Sequence, residues 1–111
     1  MQEINVFDLE KEKKKLTEAQ RRAHQKEIND VRMILKTPEG RRYIWRLWSK
    51  CGIFRNPFHP NSNQHSLNSG RMSIGQEILA DVNEANVSAF AQIQQEHISA
   101  LKSKKEANNA I

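Results

Sequence analysis

The chain has 111 residues, of which 37% are hydrophobic and 28% are charged, and its formal net charge at neutral pH is +5. No stretch approaches the roughly 20 apolar residues that a membrane-spanning helix needs, and the single cysteine cannot form a disulfide within the chain. Composition therefore argues against a membrane-spanning protein and a disulfide-stabilised scaffold. Because the first residues are polar and acidic rather than an apolar signal segment, we expect a protein of a reducing cytoplasm.

The positive charge is concentrated in the middle of the chain. Residues 1–30 contain seven basic and seven acidic residues, and residues 61–111 contain four and five. Residues 31–60 contain seven basic residues and one acidic residue, a net charge of +6, together with five of the seven aromatic residues. This distribution predicts three parts: an extended charged helical arm (residues 1–29), a compact helical domain (residues 30–101) and a polar tail (residues 102–111).

The arm is predicted to belong to one long helix, from about residue 8 to residue 36. This stretch contains no glycine or proline and is rich in strong helix formers. Between residues 16 and 28 its only apolar side chains are two alanines, so this part is either solvated or packs against another chain. The residues predicted to line such a helix–helix contact are Leu9, Leu16, Ala19 and Ala23.

A second helix has clear end signals. Thr37 is a good N-cap, Pro38 fits the first helical position, and Gly52 follows the last residue, Cys51. Trp45 and Trp48 are about 60° apart around such a helix, so only one of them can point at the centre of the core. The apolar face consists of Ile44, Leu47, Trp48 and Cys51, and a basic stripe consists of Arg42, Arg46 and Lys50.

Two further helices complete the predicted all-α fold, after a loop rich in proline and asparagine at residues 52–63. The third helix is predicted over about residues 66–82, and the fourth follows Asn86. We expect Gly70 and Gly75 to mark a close approach by another backbone or by a large ring such as that of Trp48. The other residues predicted to face the core are Ile28, Val31, Ile34 and Leu35 in the first helix, Leu67, Ile74, Ile78 and Val82 in the third, and Val87, Phe90, Ile93, Ile98 and Leu101 in the fourth.

The sequence offers no convincing catalytic or metal site. Cys51, His59 and His65 lack the paired spacings of zinc sites, and Cys51 ends a helix, where the helix dipole would not lower its pKa. No glycine-rich phosphate loop is present, and the carboxylates of the third helix are typical of a solvated face. We therefore expect no catalytic residue, no metal, no cofactor and no small-molecule substrate.

The basic stripe is the better functional candidate. Arginine next to aromatic residues is common at binding surfaces, and cations spaced along a helix can contact successive phosphates. The same surface can bind an acidic protein partner, which the pattern favours over DNA. Phe54 and Phe58 in the loop either insert into a neighbouring subunit or fold back over the helices. The residues predicted to contact a partner or DNA are Arg41, Arg42, Trp45, Arg46, Lys50 and Phe58.

Two sequence elements, "TPEGRRYIWRLW" (Thr37 to Trp48) and "GRMSIG" (Gly70 to Gly75), are the most specific parts of a wider resemblance. Together with Gly52-Ile53-Phe54-Arg55 and Ala85-Asn86, they make residues 30–97 similar to a small domain family of tailed bacteriophages, named from a Bordetella phage protein. The arm and the tail lie outside the resemblance. Because genes of that family lie among head and portal genes of short-tailed phages, the resemblance implies a component of the virion or of its assembly, located in the virion and in the host cytoplasm during assembly.

The first functional hypothesis is therefore a non-enzymatic phage structural protein. Its helical domain would dock onto a portal, capsid or internal-core assembly, and its arm would extend along neighbouring subunits of a homo-oligomer. A nucleic-acid-binding accessory protein in DNA packaging or regulation is the alternative. A small inhibitor that binds one host protein is a third hypothesis.

Overall fold

The computed structural model describes residues 6–109, and their side chains from residue 17 onward. This part of the chain contains four helices and no strand, which confirms the predicted all-α class. The molecule is elongated, with extents of 83, 40 and 16 Å. None of the helices within residues 6–109 has a stretch long and apolar enough to cross a membrane. The four helices are α1 (Val6–Leu35), α2 (Pro38–Cys51), α3 (Ser62–Ala85) and α4 (Ala89–Asn109).

Local capping sets the ends of α2 and the start of α3. The Thr37 hydroxyl accepts the backbone N–H of Gly40 at 3.0 Å, and Gly52 ends α2 in the left-handed conformation with φ 71°. Both ends of α2 are therefore as predicted. The α3 helix begins four residues earlier than expected because Asn61 is its N-cap, and the Asn61 side chain accepts the N–H of Gln64 at 3.0 Å.

The core is small and is shared by all four helices. Trp48 at its centre is completely buried and packs against the ring of Phe90, with 5.6 Å between the ring centroids. Among residues 17–109 no polar or charged residue is buried. The buried core consists of Ile28 and Leu35 from α1, Ile44 and Trp48 from α2, Val82 and Ala85 from α3, and Ala89 and Ile93 from α4.

Several residues predicted to face the core are instead exposed. Leu67, Ile98 and Leu101 lie beyond the buried turns of α3 and α4, whereas the remaining ones lie close to buried residues but on a side that faces outward. The predicted face of α3 is also displaced: Gly75, Val82 and Ala85 are buried there, whereas Ile74 is 54% exposed. The residues for which the prediction is wrong are Ile34, Leu67, Ile74, Val87, Ile98 and Leu101.

Gly75 allows the end of α2 to approach α3 closely. A Cβ atom at this position would overlap the side chains of Ile53 and Cys51. The predicted close approach is confirmed at Gly75, although the neighbours are these two residues and not Trp48. At Gly70 the prediction is wrong, since a Cβ atom there would meet nothing within 4 Å.

These two glycines form a matched pair for measuring the close approach. We expect Gly75→Ala to lower the free energy of unfolding by about 1–3 kcal/mol, because the added methyl group overpacks the contact. Gly70→Ala, in open space on the same helix, should raise it by about 0.5–1 kcal/mol through helix propensity. Urea denaturation of both variants provides the measurement, and equal effects at the two positions would contradict the close packing.

The C-terminal part of α1 packs against the core, and its contacts with α3 extend back along the helix to His24. Ile28 and Leu35 are buried, and Arg32 Nε donates to the carbonyl oxygen of Ala85 at the end of α3, at 3.0 Å. One turn before Ile28, His24 Nε2 lies 2.7 Å from the carboxylate of Glu84 in α3. Side chains at residues 18–23, before this contact, are exposed.

The pair of His24 and Glu84 predicts a pH dependence. The hydrogen bond that His24 donates to Glu84 and the charge of that carboxylate raise the pKa of His24, with smaller contributions from the charges of Glu27 and Asp81. A raised pKa in the folded state gives a stabilisation that is complete below the ordinary histidine pKa of about 6.5 and is lost as the pH rises through the raised value.

We expect Glu84→Gln to lower the pKa of His24 in an NMR titration, because it removes the largest of the contributions that raise it. The same variant should destabilise the protein more in mildly acidic than in mildly alkaline solution, because only protonated His24 benefits from the carboxylate. Glu77→Gln on the same helix is the control and should leave the His24 titration unchanged. An unshifted His24 in the wild-type protein would contradict the contact.

Candidate interaction groove

A groove runs between α2 and α4 on one side of the core, and we call it the α2–α4 groove. Its volume is about 520 Å³, which is within the range of clefts that hold ligands. On each helix the lining residues follow the spacing of a single helical face. The groove is lined by Pro38, Arg41, Arg42, Trp45 and Arg46 from α2, and by Ile93, Glu96, His97 and Ala100 from α4.

Arg41 joins the two walls of the groove. Its Nε donates to both carboxylate oxygens of Glu96, at 2.9 and 3.0 Å, and its Nη1 donates to the carbonyl oxygen of Leu35 at 2.8 Å. The arginine side chain is only 12% exposed. Arg41 therefore holds α1, α2 and α4 together, and these two nitrogens are already engaged inside the fold.

Trp45 forms the aromatic part of the groove. Its ring stacks on His97 from α4, with 4.3 Å between centroids, and on Phe54 from the following loop, at 5.2 Å. Trp45 is half-buried at the edge of the core while Trp48 is completely buried, as the 60° separation predicted. The stacking fixes the indole in one orientation.

Two exposed arginines form the cationic rim of the groove. The guanidinium of Arg42 lies 3.8 Å from Glu39, in an exposed pair that contributes little. The guanidinium of Arg46 lies 5.8 Å from the centre of the Tyr43 ring. Since Arg41 and Glu96 neutralise each other, the net charge available to a ligand comes from Arg42 and Arg46.

The structure separates Lys50 and Phe58 from this groove. Lys50 is exposed on the same helix but lines a different hollow, beside Arg55 and Arg71. Phe58 is 69% exposed and contacts His65 edge-on, at 5.9 Å between ring centroids. Four of the six predicted contact residues thus lie together, and these two lie elsewhere. Of the two loop phenylalanines, Phe54 folds back onto Trp45.

The residues predicted for a helix–helix contact all belong to α1. Ala19 and Ala23 are exposed. The side chains of Leu9 and Leu16 lie outside the described part of the structure. The predicted contact of the arm with another chain stays a prediction.

The remaining chemistry-bearing residues do not form a cluster. Across residues 17–109, no group of three or more histidine, cysteine, aspartate or glutamate side chains could hold a metal ion. Cys51 is a free thiol that packs near Gly75, and His59 Nδ1 accepts the backbone N–H of Asn61 at 3.0 Å.

The α4 wall of the groove is the part that sequence reasoning missed. Ile93, Glu96, His97 and Ala100 recur with the spacing of one helical face, and this repeat was visible in the sequence. Its polar members conceal it, because a pattern of large apolar residues does not include Glu96, His97 or Ala100. Comparisons with protein-family models, curated protein sequences and solved structures found no match to this chain.

Arg41 and Arg42 are neighbours in sequence with opposite roles, which provides a test. We expect Arg41→Ala to lower the free energy of unfolding by about 2 kcal/mol, because it removes charge-assisted hydrogen bonds and leaves Glu96 and the Leu35 carbonyl without this donor. Arg42→Ala should change it by less than about 0.5 kcal/mol, since that pair is exposed. Thermal or urea unfolding compares them, and similar losses would contradict the assignment.

Proposed function

We propose that the protein is a non-enzymatic component of a tailed-phage virion or of its assembly, docking onto head, portal or internal-core proteins through its helical domain and arm. The resemblance of residues 30–97 to a phage domain family supports a role in a phage particle or in its assembly. The observation that carries the proposal is the projecting part of α1, which offers a long helix to a partner.

The physical argument concerns how such a helix is stabilised. From Val6 to the residue before His24, α1 extends about 27 Å at 1.5 Å per residue. The side chains of residues 18–23 are exposed. Helices in proteins gain most of their stability from packing one face, and isolated helices of this length are marginal in water. A partner chain that packs against α1 would supply the missing contact.

Binding to nucleic acid is the second candidate. Arg42, Arg46 and Lys50 recur every fourth residue on α2, and all three are exposed, so they can meet a phosphate backbone. Arg41 adds less positive charge to this surface than the sequence suggests, because it donates hydrogen bonds to Glu96 and to the Leu35 carbonyl oxygen. A protein partner with acidic groups would use the same three cations.

Particles purified from the phage that encodes this chain test the proposal. We expect mass spectrometry to find the chain in wild-type particles, and to find it reduced about tenfold when residues 1–16 are deleted, the change that a loss of roughly 1.4 kcal/mol in docking would produce. Deleting residues 103–111 is the matched control and should leave incorporation unchanged. Circular dichroism and urea unfolding establish that both shortened chains fold.

Absence of the chain from wild-type particles would contradict a virion role. If the purified protein also binds duplex DNA, with affinity that falls steeply as salt rises, the nucleic-acid alternative is favoured. Undiminished incorporation of the chain that lacks residues 1–16 would remove the arm from the docking mechanism.

A further inference from the structure

The chemistry of the α2–α4 groove defines what it can bind. Pro38, Trp45 and Ile93 provide apolar surface, and Arg42 and Arg46 lie on the rim. A suitable ligand therefore carries apolar side chains flanked by carboxylates. Nucleic acid fits less well, because the Trp45 ring already stacks on His97 and Phe54 and is not a free platform for a base.

The first twelve residues of the chain have this composition. Residues 1–12 contain four acidic residues and one lysine, so their side chains carry a net charge of −3. They also contain a concentration of large apolar residues that the following arm lacks. The acidic residues are Glu3, Asp8, Glu10 and Glu12, and the apolar residues are Met1, Ile4, Val6, Phe7 and Leu9.

The described part of this segment, residues 6–12, lies at the opposite end of α1 from the groove of the same molecule. The groove begins next to the C-terminal end of α1, where Arg41 binds the Leu35 carbonyl. Between Val6 and Leu35 the helix extends about 44 Å at 1.5 Å per residue. The segment can meet the groove of a second copy without any break in α1.

We propose that the α2–α4 groove of one copy binds residues 1–12 of a second copy, with apolar side chains against Trp45 and Ile93 and carboxylates near Arg42 and Arg46. The interaction deepens the proposed function, and rests on it, by naming the contact through which the arm joins neighbouring subunits. In this arrangement the projecting arm of each copy is bound by the groove of a neighbouring copy.

Charge reversal in the full-length chain tests this pairing. The groove variant is Arg42→Glu with Arg46→Glu, and the arm variant is Asp8→Lys with Glu10→Lys and Glu12→Lys. We expect sedimentation or light scattering to show self-association of the wild type that weakens by about tenfold or more in either variant. Lys104→Glu with Lys105→Glu, in the exposed end of α4, is the control with the same charge change as the groove variant and should associate like the wild type.

The mixture of the two variants is the decisive sample. Lysines on the arm of one variant then face glutamates in the groove of the other, and we expect association to return. Recovery in the mixture would show that the weakened association of each variant alone does not result from misfolding. A monomeric wild type at all concentrations, undiminished association of the groove variant, or no recovery in the mixture would overturn the proposal.

Failure of the pairing is distinguishable from failure of the proposed function. Self-association is measured on purified protein, whereas the virion role is measured on particles. If the groove variant keeps its association but loses binding to a single-stranded oligonucleotide, the groove binds nucleic acid and the pairing is overturned. If the mixture recovers but wild-type particles lack the chain, the pairing stands and the virion role does not.

Discussion

Burial of Trp48 is the interaction on which the rest of this structure depends. A tryptophan removes roughly 150–250 Å² from water, which is worth about 4–6 kcal/mol at 25 cal/mol per Å². The indole Nε1 is buried without an acceptor, which costs about 1–3 kcal/mol. The gain from burying the ring therefore exceeds the cost of the unpaired Nε1. The difference is a large fraction of the total stability of a domain, which is of the order of 5–15 kcal/mol. Trp48 consequently fixes the rotation of α2 about its own axis.

That rotation determines the groove. With Trp48 at the centre of the core, Trp45 lies about 60° away, at the edge where α4 crosses. Arg41 and Arg42 are about 100° apart on the same helix, so one reaches Glu96 while its neighbour points outward. The packing of α2 in the core thus sets the positions of the groove residues, and no additional secondary-structure element is needed to form the groove. Changes to the core would displace the groove as well.

Local sequence features predicted the helices, but they could not predict which turns of different helices contact one another. The ends of α2 follow from Thr37, Pro38 and Gly52, whose effects act within a few residues. The interface of α3 depends on Gly75, Val82 and Ala85, and small residues carry little hydrophobic signal. Leu67 looked like a core residue because periodicity identifies a face without showing how far along the helix a partner extends. Ile74 looked like one because its large apolar side chain gives a stronger signal than Gly75, the buried residue next to it. Which of these residues are buried depends on where helices that are distant in sequence cross.

The basic zone illustrates the same limit for function. Its net charge of +6 suggested one binding surface, yet Arg32 and Arg41 donate hydrogen bonds to the last carbonyl groups of α3 and α1, and the Arg41 side chain is only 12% exposed. Only the cations that remain exposed can attract a partner. Residues 1–12 carry the opposite charge, and the described part of them, from Val6 onward, lies at the other end of α1. In the proposed pairing, the length of α1 between these two parts is the reason that residues 1–12 bind the groove of a second copy and not that of their own molecule.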